Sequence, residues 1–457
     1  MPAAKSVKGG NVISVRSPGG GYLSASFVTS FVSALLGYLE QPYPAVLLFV
    51  IAWVVIPFLW LGDKIRFDGR RIRRTGLVPY LVARITGTRD RLKLSDIEQV
   101  ESLAFPGIKR GRNVYFTYRT TVIGKNVRFS FSSRHKGYGR LIRAMLPLID
   151  EDCLDNPSID LRDYFAEKRD AGLRARESDI PSSDVLDGSF REIHLKPTAA
   201  IRFPDETNVE KANQLRRLGN ELRLSGRLLQ ALEAFRRAAV LRPRDAKLLF
   251  EFAECIRSVA GSEADKKLER RAHAMMRLAE RHAGDDGRLL SRIGESYFHV
   301  GEWRRAGIVF KRVADAVGQN FRTLRGQAEL ALREGKIAHV IHNFAAAEQA
   351  ASTTSLKRWT QGEIDYFSHL NEDDEYMELE ISRVNLLDTL DRIRRSSFRL
   401  NLFGLIVIGL GFSMGDDLVT NIGWGVAGVS LAVWTVTIVM SRMLAPRIPF
   451  ELMETDE

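Results

Sequence analysis

Four long stretches without a single charged residue bracket this chain, and they constrain its folding more than any other feature. Residues 17–39 and 41–62 are uncharged near one end, and residues 418–441 near the other. A shorter uncharged stretch, 400–415, is extended by Phe398, with Arg399 placed to snorkel. A hydrocarbon core about 30 Å thick takes about 20 helical residues to cross, and a buried helix of a soluble protein rarely runs that far without a polar stripe. Two transmembrane helical hairpins are therefore expected, at 22–62 and 398–441. A cleaved leader suits the first stretch less well, because no A-x-A site closes it and a second apolar stretch follows at once.

The loop charges set an orientation. Lys5, Lys8 and Arg16 precede the first stretch, while Lys64, Arg66, Arg70, Arg71, Arg73 and Arg74 follow the second. Arg392, Arg394, Arg395 and Arg399 precede the third, and Arg442 and Arg447 follow the fourth. The two short connections carry only Glu40 in one and Asp416 and Asp417 in the other. Lysine and arginine are retained on the cytoplasmic side. Both termini (1–21 and 442–457) and the whole middle are thus expected in the cytoplasm, in a multi-pass protein of a bacterial inner membrane.

The middle reads as separate parts, in keeping with roughly 150 residues per domain in a chain of 457. Mean hydropathy is −0.13 only because a polar middle is averaged with apolar ends. Residues 63–149 alternate with the period of half-buried strands. Ile65 and Phe67 precede an Asp68-Gly69 turn, and Val127, Phe129 and Phe131 alternate with Arg128, Ser130 and Ser132 after a turn at Gly124-Lys125. A helix with Leu141, Ile142, Met145 and Leu146 on one side then ends at Pro147. This order, with the segment Arg91 to Glu101 between strands and a membrane hairpin just upstream, resembles the pleckstrin-homology-like domains of bacterial membrane proteins. The resemblance implies a small α+β roll capped by a helix that serves as a structural or oligomerising module. Residues 150–206, with Pro157, Pro181, Pro197 and Pro204 among mixed charges, read as a linker holding a short helix at 158–176.

Residues 207–352 contain a repeat. Leu215, Leu218-Gly219, Leu222, Gly226, Ala231, Phe235 and Ala238 recur as Leu290, Ile293-Gly294, Tyr297, Gly301, Ala306 and Phe310. Between them lie Leu249, Ala253, Ile256 and Gly261 followed by Ala272, Met276 and Ala279, with about seven residues inserted, and a degenerate copy runs from Leu324 to Ala347. The pattern resembles the tetratricopeptide repeat, a helix-turn-helix unit of about 34 residues, and implies an all-α solenoid. Residues 353–397 supply a cap and a helix leading into the third span.

Catalytic signatures are missing: no G-x-x-x-x-G-K-[ST], H-E-x-x-H or G-x-S-x-G motif occurs. Two cysteines, Cys153 and Cys255, make neither a disulfide framework nor a zinc site, and His339 and His342 have no third ligand. No catalytic residue, metal or cofactor is expected. The net charge of +11 admits anionic lipid, nucleic acid or acidic peptide. Nucleic acid is disfavoured because the basic residues are interleaved with acids and have no aromatic platform.

The repeat register places Arg216, Asn220 and Arg223 of the first unit on a concave groove, with Arg257 of the second, Arg288, Arg292 and His299 of the third, and Arg322, Arg325 and Arg333 of the fourth. Arginine forks bind carboxylates, so the expected ligand is an acidic protein segment or chain terminus. Arg216, Asn220, Arg288 and Arg292 are similar to the clamp with which some tetratricopeptide modules hold a C-terminal carboxylate, although Glu251 and Glu254 stand where that clamp is neutral or amide. Lys64, Arg66, Arg70 and Arg71, with Lys109, Arg110 and Arg112, are expected near anionic lipid. Glycines 411, 415, 423, 425 and 428 favour tight helix packing or homo-oligomers. The function expected is a membrane scaffold that recruits a protein partner through the groove, with an oligomerising assembly factor of a bacterial envelope machine as the alternative.

Overall fold

The computed structural model describes residues 12–86, 90–110, 113–124, 127–166, 180, 181, 186 and 206–444. Arg112, most of 167–205 and both chain ends lie outside them, as do the side chains of Lys109 and Arg110. The chain divides into two compact units, Met1–Pro18 with Leu61–Glu363 and Gly19–Trp60 with Ile364–Glu457.

The first unit opens with a four-stranded antiparallel sheet in the order β1 (Ile13–Arg16), β2 (Lys64–Phe67), β3 (Arg71–Thr75), β4 (Arg91–Lys93). β1 falls in the segment read as a tail, where four residues without a local partner give no strand signal; Ile13 pairs with Phe67 and Arg16 with Lys64. The Asp68-Gly69 turn forms as expected. Gly69 has φ 89° and the Asp68 carboxylate accepts from the Arg70 and Arg71 amides. A second antiparallel sheet follows in the order β5 (Gln99–Arg110), β6 (Asn113–Gly124), β7 (Val127–Ser132). Val127, Phe129 and Phe131 point inward and pack with Ile65, Ile72, Leu141 and Met145 in one core, so strand alternation delivers a single buried face. The helix Tyr138–Met145 closes this α+β part.

Eight helices follow in four successive pairs: Glu206–Leu224 with Leu228–Leu241, Ala246–Glu263 with Lys266–His282, Gly287–His299 with Trp303–Val317, and Phe321–Arg333 with Ile337–Ala350. Their ends are chemically marked. Asp245, Asp265, Asp286 and Asn320 accept from backbone amides in the first turns. Gly226, Gly301 and Gly335 hold positive φ where first helices end. In the second pair the helices are simply long. Gly261 lies inside the helix, and the left-handed turn falls on Ala264 at φ 52°. Within pairs, small residues admit rings: a Cβ on Gly219 would sit 2.9 Å from Phe235 and one on Gly294 2.6 Å from Phe310.

The second unit contains four helices long and apolar enough to cross a membrane: Gly20–Tyr38, Pro42–Gly62, Asp374–Met414 and Asp417–Leu444. The 41-residue Asp374–Met414 helix is about 60 Å long, twice a hydrocarbon core, and its charged first half runs unbroken into its apolar second half. In Pro42–Gly62 the turn Ile51–Val55 is a π-helix. Pro57 just after it has no amide to give to the ladder. The last two helices touch through glycines: Cβ atoms on Gly404 and Gly423 would meet the backbones of Ala427 and Ile408 at 2.8 and 2.7 Å. Asn401 donates to the Ala427 carbonyl at 2.8 Å, and Ser33 donates to the Ala45 carbonyl at 2.6 Å within the first hairpin.

Candidate functional site

The arginines of the first helices converge on one segment of the chain itself. Residues 150–166, read as part of a linker, form a short 3-10 turn, Glu151–Cys153, and a helix, Asn156–Ala166. The local cause is an N-terminal cap: Asp155 accepts from the Ser158 amide at 2.8 Å, and Pro157 stands in the first turn, where its missing donor costs nothing. Asp155 also accepts from the Ser102 amide at 2.9 Å, and Val100 of β5 bridges to Leu154. The helix is thereby tied to the edge of the second sheet.

Its polar residues Asn156 and Asp160 are then taken by the helix pairs. Asp160 accepts from Arg223 at 2.6 Å and from Arg292 at 2.7 Å, so one carboxylate joins the first and third pairs. The side-chain oxygen of Asn156 accepts from Arg292 and from Arg322, while its amide donates to the Arg292 carbonyl. Arg322 also donates to the carbonyls of Glu151 and Leu154 and to Glu295. The Arg292 guanidinium lies 5.1 Å from the ring centre of Phe250, which fixes its plane.

Burial shapes the electrostatics. Desolvation alone raises the pKa of Asp160, but the two guanidinium groups more than offset it and hold the carboxyl below its usual range. Glu295 is likewise brought down to about 2 by Arg322 and His299 against its burial. Burial lowers the His299 pKa, and the hydrogen bond and charge of Glu295 more than reverse that. Asp155 has no such cation, and burial raises it to about 7 despite its hydrogen bonds to Ser158 and Ser102. The Nε of Arg223 is buried without a hydrogen-bond partner.

The other groove residues are also engaged within the chain. Arg216 donates to both oxygens of Glu251 at 2.7 and 3.0 Å, and Asn220 donates to one of them at 2.7 Å. The glutamate that departs from the clamp pattern is therefore the partner of two of its members. Arg257 pairs with Glu254, and Arg325 with Glu329 at 2.7 Å while stacking on Trp359. Arg333 lies over the rings of Trp303 and Phe298. Arg288 is exposed and lies near Glu151 and Asp152; burial and Asp150 raise the pKa of Asp152, and the charges of Arg322 and Arg288 only partly offset this. The structure thus brings Arg223, Arg292 and Arg322 together around Asn156 and Asp160, with Arg288 beside them. Arg216 and Asn220 gather separately around Glu251, and Arg257, His299 and Arg325 around their own helix neighbours.

Asn156 and Asp160 are the residues that the repeat register missed. The signal for their helix was present as Asp155-Asn156-Pro157-Ser158, a capping sequence. Among the other basic residues expected near lipid, Arg66, Arg70 and Arg71 are exposed on the first sheet and Lys64 is half-buried. Among the described residues, no group of three or more His, Cys, Asp and Glu is arranged to hold a metal ion, and Cys153 and Cys255 are buried free thiols.

No family model and no curated protein matches the sequence. Among solved structures the chain is similar to a de novo designed 16-helix transmembrane nanopore determined by cryo-EM, at 11% identity over 60% of this chain and 97% of that one, with a TM-score of 0.12. A score that low does not amount to a shared fold.

Proposed function

We propose that the chain is a membrane-anchored scaffold whose helix pairs, tetratricopeptide repeats in kind, recruit a protein partner through an acidic segment. In this reading both hairpins cross a bacterial inner membrane, and the α+β roll and the repeats lie in the cytoplasm. The observation that carries it is the pair of arginines on Asp160, one on each carboxylate oxygen: the face formed by the first helices already holds a short acidic helix in cis, by contacts that an acidic partner helix would make in trans. Binding in trans has to displace residues 151–166, so resting affinity is low and rises when the cis anchors are weakened.

The test uses a fluorescent peptide with the sequence of residues 150–166 and the full-length protein in nanodiscs. The variant Asn156→Ala with Asp160→Asn should bind the peptide more tightly than the unaltered chain, and the binding should weaken as salt is raised. If neither protein binds it, the segment is a fixed structural wedge and this face recruits nothing.

A second reading, an oligomerising assembly factor with the roll as the contact, is favoured by β5. It is an outer strand of its sheet, and Leu103 and Phe105 on it are 56% and 41% exposed. Leu103→Lys with Phe105→Lys should lower the assembly mass in native mass spectrometry if this reading holds, and leave it unchanged otherwise.

A further inference from the structure

We infer that the helix Leu77–Thr86 is a second membrane anchor, lying along the bilayer surface with its apolar stripe among the lipids. Leu77, Tyr80 and Leu81, at the i, i+3, i+4 spacing of one helix face, are 60%, 56% and 46% exposed, while Pro79 on the other side is buried. The helix thus turns apolar residues outward, the reverse of a helix seated on a protein core. What covers it follows from where it starts. Gly76, the residue before it, packs on the chain just where the helix Pro42–Gly62 ends: a Cβ there would lie 3.1 Å from the Asp63 Cα and 3.3 Å from the Gly62 carbonyl oxygen. Arg74 clamps the same point, donating to both oxygens of the fully buried Asp63 carboxylate at 3.0 and 2.6 Å. The start of the exposed stripe is therefore held at the depth where a membrane-crossing helix leaves the hydrocarbon.

The chemistry suits that depth. A tyrosine stands within the stripe, as is common at membrane interfaces. Arg84, one turn further along the same face, is exposed where phosphate headgroups would meet it, whereas Arg73 just upstream is paired with Asp90 at 3.0 Å. The φ of 152° at Gly76 lets the chain turn sharply from strand into this helix. Anchored at both the span and the surface helix, the first sheet is held against the membrane by more than its covalent link.

This inference rests on the reading that Pro42–Gly62 spans the bilayer, and the experiment separates the two. Full-length protein is reconstituted in vesicles of phosphatidylcholine and phosphatidylglycerol, with single labelling sites at Leu81→Cys, Val54→Cys in the span and exposed Arg281→Cys in the helix pairs. The native thiols are buried. A bimane at Leu81 should lose most of its fluorescence to doxyl-labelled lipid and little to iodide. Quenching by iodide as at Arg281 would overturn the inference in favour of water, and protection from both quenchers would overturn it in favour of a protein cover such as a second copy. Loss to doxyl lipid at Val54 but not at Leu81 leaves the span and removes the surface helix. No loss at either site removes both.

Discussion

Arg292 donates to Asp160 at 2.7 Å across 132 residues of sequence. That contact turns an arginine face expected to await a partner into one that is already occupied. Asp160 is also held by Arg223, so its carboxylate neutralises two largely buried cations at once.

Asp160→Ala should therefore be among the costliest substitutions in this unit, since it strands both guanidinium groups. Removing one member of a buried charge cluster typically costs about 3–5 kcal/mol. The expected outcome is a lower thermal midpoint in detergent together with faster hydrogen exchange at residues 156–166. Asp160→Glu should recover part of both.

The same contact explains how far the sequence could be read. Uncharged length exposed the four apolar helices, and local periodicity the hairpin between β6 and β7 and the helix pairs, because each signal lies within a few turns or strands. Gly219, Gly294, Phe235 and Phe310 stood out in the repeat for the same reason, but not that each ring would seat against the glycine of its own pair. Charge pairing over long sequence separations leaves no period, so the capture of Asn156 and Asp160 by Arg223, Arg292 and Arg322 could not be seen. Neither could the pairing of β1 with β2, whose partners are brought together only when the first hairpin returns the chain. The Leu77–Thr86 helix, fewer than three turns between strands, carried too few residues to stand out.

Gly294→Ala should destabilise the third pair. Its Cβ would meet the fully buried Phe310 ring at 2.6 Å, and a ring packed on all sides has no room to retreat. Overpacking of this kind costs about 1–3 kcal/mol. Adding Phe310→Leu should recover part of the loss in thermal unfolding, whereas Gly318→Ala, with open space but φ 88°, should not respond to Phe310→Leu at all.

In the apolar helices, Gly423→Val should lower resistance to thermal unfolding in detergent and Gly425→Val should not. The first replaces a hydrogen that faces the Ile408 backbone, while a Cβ at the second meets nothing within 4 Å. Equal sensitivity at both positions would mean that these two helices do not pack through Gly423.

Asp155 gives a pH signature. Its folded pKa is raised to about 7, above the value of about 3.9 for an unfolded aspartate, so the folded state binds the extra proton between these values. Its contribution to stability is then fully present below about pH 4 and is lost as the pH rises through about 7. Opening of residues 156–166, measured by hydrogen exchange and corrected for intrinsic rates, should be more frequent at pH 8 than at pH 5.5. Asp155→Asn should flatten that dependence; an unchanged slope in the variant would assign it to other groups.

Hydrogen exchange across residues 151–166 in the full-length protein, held in lipid nanodiscs without any partner, tests most directly whether the arginine face is filled in cis. Protection comparable to that of the Gly287–His299 helix is the expected result. Exchange as fast as in an unstructured peptide would contradict it and leave that face open.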